Sequence, residues 1–551
     1  MLPGSCGRGS STYASGVDLA VGFDLDMTLV DSRPCVIAVA AVLAHEEGVA
    51  IDGALWASRL GPPLEHELAH WVALDRIEPV ARRYRKLMAE VGVGQTVALE
   101  GARAAVEAVR ATGTRVVVVT AKHEVLARQT LAQVGIEVDA VAGSVWGEGK
   151  GAALLELGAV VFVGDHACDV LGARAAGALS VGVRTGGAEP VGADVVLDDL
   201  TGFAAWWSDQ LLTIRLEALE ERLRALGSVL VAFSGGADSA FLLAAAVRAL
   251  GARQVVAATA VSPSLAASEL PPAAAFVASL GVRHLTPGTD ELSREGYVAN
   301  GADRCFHCKA TLLDTLRPLA HRLGLAAVAT GTNADDAVAG FRPGIRAAAE
   351  RAAVTPLLDA GLTKAQVREA SRRWDLVTAD KPALACLASR IAYGVQVTPI
   401  RLARVDRAET GLRALLSPTD VRVRDLGDGR ARVELDPAAL GRWDEVAREV
   451  VRREGFDWVE ARTFRSGSLN DLLVRAGTAE QPEQGQPEAE REQQRQEVEP
   501  GRSIAPGAGQ ERYEDRHDAD DPDREQDGAE PYEQVAGAPL PGSGVAGGHT
   551  A

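Results

Sequence analysis

The chain has 551 residues, 47% of them hydrophobic, and a formal net charge of -18. A single hydrophobic core rarely supports so long a chain, so length and composition predict two or three domains. Residues 476–551 hold 18 acidic and 6 basic side chains, which leaves 51 basic and 57 acidic side chains in the remainder. That mild acidity, without a basic stripe, argues against bulk binding to nucleic acid.

No apolar run reaches the roughly 18 residues that a membrane span needs, and the first 16 residues lack an apolar signal core. We therefore expect a cytoplasmic protein with no membrane partner. Six cysteines are few for a disulfide framework in a chain of this length, so metal binding or catalysis better explains a cysteine cluster. The scattered Cys6, Cys35 and Cys168 are expected to be free thiols without a role.

Residues 1–17 are expected to be disordered, and the first domain is predicted to span residues 18–211. Its opening segment, VDLAVGFDLDMTLVDS, has the pattern of a strand, a turn and a helix, and apolar runs at residues 115–120 and 159–165 predict further parallel strands. Residues 33–98 are rich in Ala, Leu and Arg and contain no strong strand pattern, which predicts an inserted helical cap. We expect a doubly wound α/β sheet.

A second strand–turn–helix pattern, GSVLVAFSGGADSAFLLAAAV, predicts a second doubly wound parallel sheet over residues 212–395, with further strands near residues 255–261 and 326–332. The segment VRVRDLGDGRARVELD then predicts a β-hairpin around GDG. Residues 396–475 are therefore expected to form a small α+β subdomain. Residues 476–551 are rich in Glu, Gln, Asp, Pro and Gly and are predicted to be a disordered acidic tail.

Acidic and polar side chains stand at or beyond the carboxyl ends of strands predicted in the first domain, where open α/β sheets bind ligands. They are Asp24, Asp26, Thr120, Lys150, Asp165 and Asp169. Phosphoryl transfer needs such a set: a carboxylate nucleophile, a proton shuttle, oxygen ligands for Mg²⁺, and a hydroxyl and an ammonium for the phosphate.

The ordered set resembles the haloacid dehalogenase-like (HAD) phosphatases over roughly residues 18–208. This resemblance implies that Asp24 is the nucleophile and Asp26 the general acid and base. The phosphate ligands that it implies are Thr120 and Lys150, and the Mg²⁺ ligands are Asp24, Asp26, Asp165 and Asp169. Met27 departs from the family, which usually has glycine after the second aspartate.

The second strand–turn–helix pattern contains a phosphate-binding loop, SGGADS, because its glycines let backbone N–H groups approach an anion at a helix N-terminus. The residues expected to bind the phosphates are Ser234, Gly235, Gly236, Asp238 and Ser239. The loop lacks the GK[ST] ending of a Walker loop. It resembles the PP-loop ATP pyrophosphatases, which implies ATP as cofactor and transfer of AMP to a carboxylate or carbonyl oxygen.

In the segment RCFHCK, two residues separate Cys305 from Cys308. The spacing alone allows a zinc half-site, a disulfide or a redox pair, but no second CxxC or His pair supplies further zinc ligands. Together with the distant Cys386, the pair better matches a [4Fe–4S] cluster held by three thiolates, which leaves one iron open.

Several segments resemble the LarE family of sulfur transferases over nearly all of residues 214–475: RCFHCK, GTNADDAVAGFRPGIRAAAE, TPLLDAGLTKAQVRE, DKPALACLASRIAYGVQVTP, VRVRDLG and FRSGSLND. The resemblance implies thiolation of pyridinium-3,5-biscarboxylic acid mononucleotide on the route to the nickel-pincer nucleotide. Family members either sacrifice one cysteine, which corresponds to Cys386, or bind a [4Fe–4S] cluster through three cysteines. The presence of all three favours the cluster, with sacrifice of Cys386 as the alternative.

The same resemblance implies active-site roles for Glu409, Arg422 and Arg424, and we expect Arg390 and Arg465 to bind a substrate phosphate. The expected partners are a small-molecule nucleotide substrate and further copies of the chain. One alternative is a PP-loop tRNA thiolase, although such an enzyme would need a more basic surface. In another, the first domain is a regulatory module without catalysis, against which its complete set of carboxylates argues.

Overall fold

The fold is taken from a computed structural model. It describes residues 19–187, 189–338, 343–382 and 386–465. The expected disordered N-terminus and acidic tail lie outside the described residues. Within those ranges no helix is both long enough and apolar enough to cross a membrane.

The first domain is an α/β unit, as predicted. Its strands are β1 (Ala20–Phe23), β2 (Val30–Asp31), β3 (Val97–Ala98), β4 (Arg115–Val119), β5 (Ala140–Ala142), β6 (Ala159–Gly164), β7 (Leu179–Val183) and β8 (Val195–Leu197). Its helices are α1 (Arg33–Glu47), α2 (Gly53–Ala57), α3 (Leu64–Leu68), α4 (Ile77–Leu87), α5 (Ala102–Arg110), α6 (Glu124–Gln133), α7 (Gly149–Glu156) and α8 (Ala167–Ala175). Six parallel strands form one sheet in the order β5-β4-β1-β6-β7-β8. Hydrophobic clusters cover both of its faces, which explains why β1, β4 and β6 are continuous apolar runs.

The segment predicted as a cap is helical and has a small core of its own. It contains α1 to α4, and a π-helical turn and a 3₁₀ turn continue α4 to Gln95. Trp56 stacks on Tyr84 with ring centroids 5.0 Å apart. The short strands β2 and β3 pair antiparallel where the chain leaves and re-enters the sheet domain, so the cap is attached through two neighbouring strands.

Helix α9 (Phe203–Leu226) connects the first domain to the second without a break. Trp207, near its start, is buried in the core of the first domain. Leu219, three turns later, is buried in the core of the second. The predicted boundary at residue 212 therefore lies inside one continuous helix that packs on both sheets.

The second domain has four parallel strands in the order β11-β10-β9-β12. They are β9 (Val229–Ala232), β10 (Val255–Ala258), β11 (Arg283–Leu285) and β12 (Ala327–Thr330). The helices are α10 (Ala237–Leu250), α11 (Leu270–Ser279), α12 (Glu295–Val298), α13 (Arg304–Arg322), α14 (Ala334–Val338), α15 (Pro343–Glu350), α16 (Pro356–Asp359) and α17 (Lys364–Arg373). Strand β9 has β10 on one side and β12 on the other. The chain adds β10 and β11 on one side of β9 and then returns to add β12 on the opposite side. Such a switch point is where open sheets bind ligands.

The C-terminal subdomain contains the predicted β-hairpin. Its elements are α18 (Pro399–Leu416), β13 (Val421–Asp425), β14 (Arg430–Leu435), α19 (Pro437–Leu440), α20 (Glu445–Arg452) and β15 (Trp458–Thr463). β13 and β14 are antiparallel, and β15 adds to β14 in parallel. Tyr297 and Leu387, which precede the predicted start of this subdomain, are buried in its core. The subdomain therefore packs directly on the segments that carry the cysteines.

Candidate active sites

The acidic site of the first domain forms where the carboxyl ends of neighbouring strands meet. Asp24 follows β1, Thr120 follows β4 and Asp165 follows β6. Asp169 lies in the first turn of α8, where its carboxylate accepts a hydrogen bond from the backbone N–H of His166 at 3.0 Å. One oxygen from each of Asp24, Asp165 and Asp169 lies within 4.8 Å of the others, so these three can hold a metal ion together.

Lys150, at the start of α7, is the buried cation of this cluster. Its Nζ donates to Asp24 Oδ1 at 2.7 Å and to Asp169 Oδ1 at 2.6 Å. Burial and the neighbouring carboxylates raise the pKa of Asp24 to about 7 and that of Asp165 to about 8. Burial opposes the charge of Lys150, yet Asp24 and Asp169 hold its pKa above the usual value. One ammonium cannot neutralise three buried carboxylates, so a divalent cation with oxygen ligands fits here.

The backbone around this cluster is unusually tight. A Cβ at Gly164 would lie 2.3 Å from the carboxyl carbon of Asp169, and one at Gly186 would lie 1.9 Å from an oxygen of Asp165. A side chain at either position would therefore displace one of these two carboxylates. Met27, by contrast, has a φ of 60° without being glycine, which costs roughly 1–2 kcal/mol. The usual family glycine would relieve that strain.

Asp26 stands apart from the metal cluster, although the sequence predicted it as a fourth ligand. Its Oδ1 accepts a hydrogen bond from Lys122 Nζ at 2.5 Å and another from the Ser32 hydroxyl. A carboxylate held by a cation beside the triad suits the predicted role in proton transfer. Sequence analysis missed Lys122, and its place two residues after Thr120, at the end of an apolar strand, is the signal that could have found it.

A cavity of 240 Å³ lies between the acidic cluster and the cap. The sheet domain contributes the predicted site residues together with Lys122. The cap contributes two aromatic side chains, Trp56 and Tyr84, and two arginines, Arg59 and Arg85. Because residues of both the sheet domain and the cap line the cavity, the cap residues would face a group attached to a phosphate at the triad.

The predicted phosphate-binding loop of the second domain connects β9 to α10. Gly235 has a φ of 74°, in the left-handed region that favours glycine. The Ser239 hydroxyl accepts a hydrogen bond from the Ser234 N–H at 3.3 Å and donates to Gly236 O at 3.1 Å. A Cβ at Gly331, just after β12, would lie 2.9 Å from the Ser239 nitrogen. The turn is thus ordered by its own hydrogen bonds and lies at the N-terminus of α10, a position that suits an anion.

Two lysines brace this loop from the side. Lys381 Nζ donates to Gly235 O and to Glu269, both at 3.0 Å. Lys364 forms an ion pair with Asp238, which also accepts a hydrogen bond from Asn333 at 3.2 Å. Asp238 is therefore tied to neighbouring side chains, and sequence analysis had not identified these braces.

One cavity of 380 Å³ contains the loop and two of the three predicted cysteines. The predicted site residues among those that line it are Ser234, Gly236, Asp238, Ser239, Cys308, Cys386 and Arg390. Cys305 is exposed on the first turn of α13 and is not among the residues that line the cavity. Burial, followed by the nearby Cys386, Glu291 and Cys305, raises the pKa of Cys308. The structure therefore brings thiols from two distant segments together beside the loop.

Buried Arg304 explains how those segments meet. Its Nη1 donates to the carbonyl oxygen of Ala388 at 2.9 Å and to Asn300 Oδ1 at 2.5 Å. Asn300 Nδ2 in turn donates to the carbonyl of Ala392 at 2.8 Å. Burial opposes the charge of Arg304, but the nearby Cys386 and Cys305 hold its pKa above the usual value. We define the Cys386 turn as residues 386–392, and Arg304 fastens this turn to the start of α13.

In the C-terminal subdomain, the predicted site residues Glu409, Arg422 and Arg424 are not among the residues that line the cavity. Glu409 is buried and accepts hydrogen bonds from Arg390 Nε at 2.9 Å and from Arg413 Nη2 at 2.8 Å. Burial disfavours its charge, but these arginines and the Val423 N–H hold the pKa of Glu409 below its usual value. Arg413 was not predicted and lines the 380 Å³ cavity.

Arg422 and Arg424 are buried on β13 and do not line that cavity. Arg424 pairs with Glu434 at 2.9 Å and donates to Ser389 O at 3.1 Å. Arg424 therefore connects β13 to the Cys386 turn. Arg465, the other predicted phosphate ligand, is exposed after β15 and also lies outside the residues that line the cavity.

Comparisons with known proteins match the two halves separately. Residues 21–174 match the family model of haloacid dehalogenase-like hydrolases. An uncharacterized protein of Synechocystis sp. is 40% identical over 272 residues, which cover 48% of this chain and 100% of that protein. The pyridinium-3,5-bisthiocarboxylic acid mononucleotide synthase of Lactiplantibacillus plantarum is 34% identical over 274 residues, which cover 49% of this chain and 98% of that protein.

Two solved structures are similar to this chain over about a third of its length. A haloacid dehalogenase-like hydrolase family protein of Streptococcus pneumoniae is 22% identical, with a TM-score of 0.31, covering 34% of this chain and 97% of that one. CbbY from Rhodobacter sphaeroides, in complex with phosphate, is 18% identical, with a TM-score of 0.28, covering 33% of this chain and 94% of that one.

We predict that Arg304→Met loosens the Cys386 turn. The variant loses a buried, charge-assisted hydrogen bond worth about 1.5–3 kcal/mol, so hydrogen exchange of residues 386–392 should become roughly 10- to 100-fold faster. Hydrogen-exchange mass spectrometry of the reduced protein measures this. The matched control is Arg294→Met, which removes a partly exposed pair with Asp314 and should leave that peptide unchanged. Equal exchange in both variants would show that Arg304 does not hold the turn.

Proposed function

The chain belongs to the LarE family of sulfur transferases, and we propose that its C-terminal half activates a carboxylate with ATP and replaces one carboxylate oxygen with sulfur. The substrate proposed is pyridinium-3,5-biscarboxylic acid mononucleotide, the biscarboxylate that corresponds to the product named in the Lactiplantibacillus relative. The observation that supports this best is the single cavity shared by the SGGADS loop, Cys308 and Cys386.

The proposed reaction has two steps. A substrate carboxylate oxygen attacks the α-phosphorus of ATP, and the bond to pyrophosphate breaks. The SGGADS loop would bind the departing pyrophosphate at the N-terminus of α10. A sulfur nucleophile then adds to the acyl carbon, and AMP leaves with the electron pair of the C–O bond. The cavity volume of 380 Å³ falls in the range of small-molecule sites, about 300–1,000 Å³.

The residues around the cysteines fit a [4Fe–4S] cluster held by Cys305, Cys308 and Cys386. All three thiols are free. Burial, followed by the nearby Cys386, Glu291 and Cys305, raises the pKa of Cys308, and a bound metal ion favours the thiolate form of such a ligand. When bound, such a cluster would supply sulfide from its open iron. The alternative source is Cys386 itself, whose Sγ would attack the acyl carbon and then leave Cβ by elimination, with loss of the Cα proton, to give dehydroalanine.

The cluster proposal is tested with anaerobically purified protein supplied with iron and sulfide. We expect about four irons per chain and more than one thiocarboxylate formed per chain when sulfide is added. Cys305→Ser should lose both properties because it removes one thiolate. Cys168→Ser, a free thiol in the other domain, should keep both. A single turnover that leaves dehydroalanine at residue 386, whatever the iron content, would establish the sacrificial route instead.

For the N-terminal half, which carries the HAD-like domain, we propose hydrolysis of a phosphate monoester with Mg²⁺. Asp24 would attack phosphorus and expel the alcohol, and Asp26 would give that oxygen its proton and later activate water. Asp24, Asp165 and Asp169 would hold the Mg²⁺, which would neutralise charge on the phosphoryl group. Lys150 and Thr120 would bind the phosphate oxygens. The completeness of this set argues against a domain that only regulates its neighbour.

Asp24→Asn should abolish the phosphatase activity without changing thiolation. Removing a nucleophile costs at least about a thousandfold in kcat, measured with an aryl phosphate in the presence of Mg²⁺, and EDTA should have a similar effect on the wild type. Asp31→Asn is the matched control, because Asp31 pairs with Arg33 at the partly exposed start of α1. Full activity of Asp24→Asn, or loss of thiolation in the same variant, would contradict the assignment.

A further inference from the structure

Arg413, on α18, lines the sulfur-transfer cavity and has one guanidinium nitrogen without an acceptor among the described residues. Its guanidinium is fixed on one side, since Nη2 donates to Glu409 at 2.8 Å. Nη1 is buried, yet within the part of the chain that the structure describes it has no acceptor. The side chain lines the same cavity as Cys386 and the SGGADS loop. A buried guanidinium nitrogen without an acceptor is costly in an apolar setting.

Arg390, which the sequence singled out for phosphate binding, is occupied differently. Its Nε and Nη2 donate to the two oxygens of Glu409 at 2.9 and 3.2 Å. Its Nη1 donates to the carbonyl of Cys386 at 3.1 Å, and the side chain is only 2% exposed. All three nitrogens of its guanidinium thus have protein acceptors. Arg390 therefore connects the Cys386 turn to α18.

The three side chains leave one positive charge for a ligand. Glu409 is an ionised carboxylate between two guanidinium groups, so the set Arg390–Glu409–Arg413 carries a net charge of +1. These contacts form a linear series. Arg390 donates hydrogen bonds to the carbonyl of Cys386 and to Glu409, and Glu409 also accepts a hydrogen bond from Arg413. Arg413 is therefore two ion pairs away from the Cys386 backbone.

We propose that Arg413 binds the phosphate of the mononucleotide substrate. One carboxylate of the substrate must reach the sulfur donor. Of the two anionic groups that remain, the second carboxylate is on the same pyridinium ring, whereas the phosphate is separated from the ring by the ribose and is the group directed away from the donor. A guanidinium held by a carboxylate on one edge offers its other N–H groups in the planar geometry that suits phosphate oxygens. This inference rests on the proposed sulfur transfer and deepens it, because it identifies which group of the substrate is recognised and by which residue.

The test compares probes that differ by one group. Nicotinic acid mononucleotide has a carboxylate and a phosphate, nicotinamide mononucleotide has only the phosphate, and nicotinic acid riboside has only the carboxylate. Arg413→Met should weaken binding of both mononucleotides by roughly 10- to 100-fold, as expected for a charge-assisted hydrogen bond, and leave the riboside unchanged. Titration calorimetry on the full chain measures all three. Arg413→Lys, which keeps the charge, should recover part of the loss.

The matched control is Arg407→Met, on the same helix but paired with Glu454 away from the cavity, and it should bind all probes like the wild type. Equal weakening of the riboside and the mononucleotides by Arg413→Met, weakening of the riboside alone, or no effect would overturn the proposal. A parallel thiolation assay of the wild type separates the two claims. Its failure would refute sulfur transfer, whereas unchanged binding with normal thiolation would refute only the role of Arg413.

Discussion

The candidate sulfur-transfer site depends on one buried interaction, the hydrogen bond from Arg304 to the carbonyl of Ala388. Arg304 precedes Cys305 on α13, and Ala388 follows Cys386 in the chain, so this bond joins the two segments that carry thiols. Asn300 adds a second link to the same turn. A buried guanidinium without partners would be strongly destabilising, so the turn and α13 have little freedom to separate.

The two candidate sites handle charge in opposite ways. In the first domain, three carboxylates surround one ammonium, and the excess negative charge suits a divalent cation and, through it, a phosphate. In the second, Glu409 lies between Arg390 and Arg413, and the excess positive charge suits an anion directly. Both sites lie at the carboxyl ends of parallel strands. Helix α9 packs on both sheets, so the two activities are parts of one continuous structure.

The elements that sequence predicted well have strong local signals. Buried parallel strands are continuous apolar runs, so β1, β4, β6 and β9 could be located, and the polar residues directly after them mark the sheet edge where ligands bind. The segment from residue 33 to residue 98 was recognisable as helical because it has helical periodicity and no strand pattern. The hairpin was recognisable from the GDG turn between alternating residues, and all three turn residues have a positive φ.

What sequence could not reveal are single polar residues whose partners are distant. Arg304 and Ala388 are 84 residues apart, and nothing local distinguishes Arg304 from a solvated arginine. Arg413 is similar, because the nitrogen without an acceptor that distinguishes it results from tertiary packing and leaves no signal in the sequence. Asp26 was grouped with the metal ligands on the family resemblance, but its carboxylate accepts a hydrogen bond from Lys122 instead.

The most direct measurement is chemical cross-linking of the thiols in reduced, metal-free protein with dibromobimane, which becomes fluorescent when it joins two nearby thiols. Because Cys305 and Cys308 share a helical turn, the measurement uses Cys305→Ser, in which Cys308 remains to react with Cys386. The account predicts a cross-linked peptide that contains residues 308 and 386. Separate labelling of the two cysteines without a cross-link would contradict it, because the thiols would then not face one cavity.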